Sequence, residues 1–313
     1  MMSAGNNSED SRMSRVLLCI ALFLAAPACA QEAPFVRTED VVYGRKHGVA
    51  LTLDVFQPKE NANGAAVLWV ISGGWFSAKQ GIRPEPATVF VKRGYTVFAV
   101  VHGSQPRFTI PEAIEDMQRS VRFIRANAAK YKIDPERIGI TGGSAGGHLS
   151  LMIGLGGAAA NPKAADPVDR ESSRVGAVAC FYPPTDFLNW GKEGEVALGT
   201  GPLAWLPAPF EFVNFDKDKK KFVPVDEAGK LEIGKRISPI THVSGDDPPI
   251  LLIHGDADKV VPIYQAEILM AKLKEAKVTH ELTLRPGAGH GWKDIINDLT
   301  LFADWFDKHL PKK

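Results

Sequence analysis

Cysteine is scarce: Cys19, Cys29 and Cys180 are the only three in 313 residues. That excludes a scaffold built on disulfides. Charge of one sign is lacking too, since 37 basic and 36 acidic side chains leave a formal net charge of +1. No strong field follows, which disfavours nucleic acid or an anionic membrane surface as partner. No internal repeat is visible, and no His/Cys/Asp cluster has metal-ligand spacing. No metal or cofactor is therefore expected. The apolar run 16–26 is too short to span a membrane comfortably.

That run has other marks. Arg12 and Arg15 precede it and Ala28-Cys29-Ala30 follows it. A basic flank, a short apolar core and a small-x-small site read as a secretory signal at residues 1–30. Cleavage after Ala30 would leave Gln31 first and Cys180 as the sole thiol, in an apolar run where it reads as buried and inert. The expectation is an exported protein, periplasmic or extracellular, with no stable membrane anchor once the signal is gone. Residues 31–313 would form the functional domain. The chain is 45% hydrophobic, enough to give it a sizeable core.

Residues 40–44 and 49–56 partly alternate apolar and polar, with Lys46-His47-Gly48 between them. They predict an antiparallel hairpin with one wet face. The runs 65–71, 95–101, 138–140, 175–182 and 250–253 are nearly continuous in apolar residues. They read as strands buried on both faces. Helical patterns lie between and after them, at 87–92, 111–130, 145–154, 264–276 and 299–309. This alternation predicts an α/β fold: a mostly parallel sheet, helices on both faces, and the hairpin at one edge. Residues 189–237 break the pattern. They carry Trp205, Phe210, Phe212 and Phe215 and the charged run 216–221. An insertion of that length reads as a cap or loop region. Its aromatics could form a local core or face a substrate.

The chemistry centres on Gly142-Gly143-Ser144-Ala145-Gly146, which fits G-x-S-x-G between a buried strand and a helix. Glycines allow a sharp turn that lifts the serine, and the helix N-terminus favours negative charge beside it. A serine hydroxyl needs a base, and the base needs an orienting group. Two later loops supply candidates. One, after a buried strand, carries Asp256 and Asp258; the other, Gly287-Ala288-Gly289-His290-Gly291, follows strand 279–284. Both lie at carboxyl ends of strands, where open parallel sheets bind ligands.

With Ser, Asp and His in that chain order, the sequence resembles an α/β-hydrolase. It is similar to secreted esterases of the carboxylesterase, feruloyl-esterase and hormone-sensitive-lipase-like groups, over about residues 39–310. The elbow, the H-G-x-x-D-x-x-V-P loop at 254–262 and the G-A-G-H-G loop carry the likeness. The resemblance implies Ser144 as nucleophile, Asp258 as orienting acid and His290 as base. It also implies an oxyanion hole, with the Ala145 amide as one donor and Gly74 and Trp75 as candidates for the other. The loop Ser72-Gly73-Gly74-Trp75-Phe76 resembles H-G-G-G but has Ser72 for His and Trp75 for a third Gly. That departure leaves the subfamily and substrate open. Trp75, Arg107 and Phe108 are candidate substrate-binding residues. His102, His148, His254 and Asp186 read as structural.

The expected function is serine-dependent hydrolysis of carboxylic esters, on a small-molecule or carbohydrate ester. A prolyl-peptidase-like serine peptidase and a catalytically inactive binding protein on the same fold are the alternatives.

Overall fold

The computed structural model describes residues 32–312. The expected signal at residues 1–30 lies outside the described residues. The chain opens with β1 (Phe35–Lys46), β2 (Val49–Pro58) and β3 (Ala66–Ile71), followed by α1 (Pro84–Val91) and β4 (Thr96–Val101). Then come α2 (Ile110–Ala126), the single turn α3 (Ala128–Tyr131), β5 (Ile138–Gly143), α4 (Ala145–Gly156) and β6 (Ala177–Phe181). The insertion holds β7 (Val213–Asp216), β8 (Lys221–Pro224) and α5 (Glu227–Arg236). The chain closes with β9 (Ile250–Gly255), α6 (Tyr264–Glu275), β10 (His280–Arg285) and α7 (Leu299–His309).

Eight strands form one sheet in the order β1-β2-β4-β3-β5-β6-β9-β10. β2 runs antiparallel to both β1 and β4, while the strands from β4 to β10 are mutually parallel. This is the α/β-hydrolase sheet. The strand side chains alternate between two cores, as the two-residue pleat requires. Ala66, Leu68 and Val70 of β3 join one core with Met117 and Val121 of α2 and Leu149 and Ile153 of α4. Val67 and Ile71 join the other, with Phe90 of α1 and Phe302 and Phe306 of α7. β3 to β6 and β9 are covered on both sides, which explains their unbroken apolar runs.

The expected helix 111–130 divides at Asn127. The Asn127 side chain donates to Phe123 O at 2.8 Å, and its backbone leaves the helical region at φ −105° and ψ 16°. An asparagine that bonds its own preceding turn competes with helix propagation. In the insertion, the β7–β8 hairpin went unread from sequence. Its two strands have four residues each and pair only with one another, as a separate sheet.

Phe302 links a core to the site. It is fully buried, with its ring centroid 4.4 Å from that of Phe181. The Phe181 carbonyl accepts the amide hydrogen of Ser144 at 3.0 Å. Truncating a buried phenylalanine removes apolar contacts and leaves a cavity. Phe302→Ala is expected to cost about 3–5 kcal/mol in urea denaturation. A cost below about 1 kcal/mol would mean that α7 does not seal this face of the sheet.

Candidate active site

Ser144 stands between β5 and α4 with φ 54° and ψ −122°. Such a conformation is uncommon for a non-glycine residue and persists only where its surroundings over-determine it. Two backbone contacts show why glycines flank it. A Cβ on Gly142 would lie 2.5 Å from the Gly146 carbonyl carbon, and one on Gly146 would lie 2.9 Å from Val70 O. Strand and helix approach too closely for any side chain at either position.

His290 is brought to the serine by the loop after β10. Its Nε2 lies 2.9 Å from Ser144 Oγ, and its Nδ1 lies 2.7 Å from Asp258 Oδ2. A carboxylate can only accept, so Nδ1 carries the proton and Nε2 presents its lone pair to the serine hydroxyl. The Gly291 amide donates to Gly289 O at 2.8 Å, closing a tight turn around His290. Tyr182 packs on the imidazole with ring centroids 4.4 Å apart.

Asp258 is held from its other side. Oδ1 accepts the amides of Val260 at 2.8 Å and Val261 at 3.0 Å. His254 Nε2 lies 3.5 Å from Oδ2 while donating to Val261 O at 2.9 Å. Burial works to raise the carboxyl pKa, but donation from His254, His290 and the Val261 amide outweighs it. The carboxyl stays well below its ordinary range and remains charged under the imidazole. Asp256, the other candidate acid, instead accepts the Gly287 amide at 2.6 Å. Asp186 accepts from the Leu188 amide and the Asn189 side chain, a local turn bond.

The loop after β3 forms the facing wall. Gly73 and Phe76 exchange backbone hydrogen bonds at 2.9 and 3.0 Å, with Gly74 and Trp75 at the tip. Among the described residues, no acceptor is paired with the Gly74 or Trp75 amide. The Ala145 amide opens α4, where first-turn amides have no intrahelical acceptor. Ser72 takes up the place expected for histidine in an unforeseen way. Its Oγ lies 2.9 Å from Nε2 of His102, a residue just beyond β4. His102 Nδ1 lies 2.8 Å from Gly103 O, so Nδ1 carries the proton and Nε2 accepts from the serine hydroxyl.

Ser144, His290, Gly74 and Trp75 line one cavity of about 960 Å³. Tyr182, Trp190, Leu203, Trp205 and Leu206 line it too, so the insertion contributes to its wall. Trp205 is 66% exposed and Phe76 55% exposed, leaving both faces open to a bound molecule. Tyr182 and Phe76 were not singled out from sequence. Tyr182 looked like the last residue of a buried strand; its place at a strand's carboxyl end was the available signal.

Arg107 and Phe108 are corrected. Neither lines this cavity. Arg107 donates to His47 O at 3.1 Å and lies over the Phe108 ring. Phe108 is buried, with Lys46 Nζ 4.3 Å from its ring centroid. The segment after β4 turns back onto the β1–β2 hairpin, where cation–π contacts hold it. Among the described residues, no group of three His, Cys, Asp or Glu side chains could hold a metal ion.

His102 and His148 are buried, and burial pushes each imidazole down from 6.5 to about 4. Between those values the unfolded chain binds more protons than the folded one. The stability that they contribute is fully present above about 6.5 and is lost as the pH falls toward 4. Asp116 and Asp247, whose carboxyls burial raises, act in the opposite sense. His309, lowered by burial and by Lys308, acts in the same sense as His102 and His148, so the histidines favour falling stability from about pH 6.5 to 5. Denaturation midpoints should fall steadily across that interval, whereas a flat profile would mean that the imidazoles are not held neutral by the fold.

Comparison with known proteins identifies the family. Residues 53–273 match the BD-FAE family model. The probable carboxylic ester hydrolase LipM of Mycobacterium tuberculosis is 30% identical over 240 residues, covering 75% of this chain and 51% of that protein. Esterase LipQ of the same organism is 30% identical over 263 residues, covering 82% of this chain and 57% of that one. The chain thus spans little more than half the length of these relatives. A structure described as a truncated carbohydrate esterase from gut microbiota superposes with a TM-score of 0.71 at 28% identity, covering 90% of this chain and 99% of that one. With its sheet order and a family match over most of its length, the chain belongs to the BD-FAE family of α/β-hydrolases.

Proposed function

We propose that this chain is a serine carboxylic-ester hydrolase that works through Ser144, His290 and Asp258. One observation carries the reading: an unbroken relay from Ser144 Oγ to His290 Nε2 at 2.9 Å and from Nδ1 to Asp258 at 2.7 Å, opening into a cavity. His290 takes the hydroxyl proton as Ser144 Oγ attacks the ester carbonyl. Asp258 keeps the imidazole in the required tautomer and stabilises the imidazolium. The unpaired amides of Gly74 and Trp75, with that of Ala145, receive the charge developing on the carbonyl oxygen. His290 returns the proton to the leaving alcohol. Water then cleaves the acyl-enzyme by the same route.

The relatives named as esterases support ester hydrolysis, and the relative named as a carbohydrate esterase supports a sugar ester as substrate. So do the exposed faces of Trp205 and Phe76 at the cavity, surfaces on which a sugar ring can pack. The N-terminal export pattern supports a substrate outside the cytoplasm.

On p-nitrophenyl acetate and butyrate, Ser144→Ala is expected to lower kcat at least about 10⁴-fold, and Asp258→Asn about 10³–10⁴-fold. Turnover retained in folded Ser144→Ala would overturn the mechanism. A folded wild type that binds esters without cleaving them would favour the binding-protein reading. For the sugar, Trp205→Ala should raise KM for acetylated xylose about tenfold, the scale of one lost ring contact, while barely changing that for p-nitrophenyl acetate. Equal effects on both substrates would remove the argument for a carbohydrate.

A further inference from the structure

Trp75 occupies a backbone position that disfavours it. The turn closed by Gly73 and Phe76 has φ 54° at Gly74 and 57° at Trp75. Positive φ at both central residues is the signature of a type I′ turn, in which Asn and Gly are the usual occupants. A bulky side chain there needs something to keep it in place.

The indole supplies the hold. Its Nε1–H donates to Nδ1 of His148 at 3.1 Å. On the far side of the ring, His148 Nε2 lies 2.7 Å from Ile237 O. An indole N–H can only donate and a carbonyl can only accept, so His148 is neutral, protonated on Nε2, with its Nδ1 lone pair toward Trp75. The imidazole is fully buried, and the Trp75 ring packs against it and against Phe187 and Phe210, with centroids 5.5–5.7 Å apart. The turn has other ties, from Ser72 to His102 and from the Gln105 amide to Trp75 O at 3.3 Å. Those hold its base and its backbone. The bond to His148 fixes the side chain of the residue with the unfavourable φ.

His148 lies four residues after Ser144, on the helix that begins at the nucleophile. Ile237 follows α5, the last helix of the insertion. One imidazole thus joins the nucleophile's helix, the facing turn and the end of the insertion. We propose that His148 is a positioning residue for the oxyanion turn: by accepting the Trp75 indole hydrogen bond it keeps the Gly74 and Trp75 amides presented to the cavity beside Ser144. This rests on the serine-esterase reading. It makes no claim that His148 touches substrate or moves a proton.

The test is steady-state kinetics on p-nitrophenyl butyrate, with circular dichroism to confirm folding. Losing one oxyanion donor outright costs about 10²–10³ in kcat, so misplacing the turn in His148→Leu should cost about 10–100-fold, with KM within about twofold. His148→Asn puts an amide oxygen where Nδ1 stands and should recover most of that loss. Trp75→Phe removes the indole donor and should match His148→Leu. The double variant should lose no more than either single, because both break one bond. A folded His148→Leu with wild-type kcat, a loss carried by KM alone, no recovery in His148→Asn, or losses that multiply in the double variant would each overturn the proposal. Should His148→Leu fail to fold, Trp75→Phe decides by the same kcat criterion. The esterase reading is judged separately, by wild-type turnover and its loss in Ser144→Ala. Without wild-type turnover both fall; turnover that is indifferent to His148→Leu and to Trp75→Phe sinks only the positioning role.

Discussion

The site depends on how closely α4 approaches the sheet at its first turn. Gly142 on the strand side and Gly146 on the helix side leave no room for a Cβ between them. That contact drives the chain through the left-handed conformation at Ser144 and lifts the hydroxyl above the strand ends. It also brings the Gly146 backbone against Val70 O, near the end of β3, so Ser144 and the turn after β3 are set by the same packing. Tight interiors move little, so once this contact forms the distance between hydroxyl and turn has little freedom. The other groups need only be delivered to that point by strands running in one direction.

The electrostatics follow the same division. Asp258 is a buried anion, and burial alone would neutralise it. The His254 and His290 rings and the Val261 amide keep it charged. His102 and His148 are buried as well, but neither has an acidic partner. Each instead lies between a carbonyl and a side-chain donor, an arrangement that only the neutral ring satisfies. Both of these imidazoles are thus held neutral. Burial is the larger cause, and the hydrogen-bond partners fix which ring nitrogen carries the proton.

Much of this could be read from the chain, because the elbow and the His290 loop are local patterns whose residues lie within a few positions of one another. The strands could be read because burial on both faces leaves continuous apolar runs. What stayed hidden was contact between distant segments. Ser72 looked like a departure from an expected histidine; the imidazole it needs comes from residue 102, at the end of another strand. His148 looked like helix packing because its partners, Trp75 and Ile237, lie 73 and 89 residues away. Arg107 and Phe108 failed for the opposite reason. Their position after a strand end was read correctly, but Lys46 and His47 on the hairpin hold that segment against its own edge of the sheet.

The insertion shows why length and composition were insufficient there. Its aromatics left open whether they form a local core or face a substrate, and the fold divides them. Phe210 and Phe212 are buried, with Phe210 against the Trp75 ring, whereas Trp205 lines the cavity with most of its surface exposed. The buried set is what makes the exposed one usable. A rim residue on an unanchored loop would lose much of its binding energy to ordering, whereas Trp205 is displayed from a segment already packed onto the turn after β3. The same packing runs through Trp75, so the residues that shape the cavity's rim and those that present its hydrogen-bond donors share one core. A change in the insertion that disturbs Phe210 would therefore reach the turn beside Ser144, so the cavity's rim and that turn are coupled through one packed set of rings.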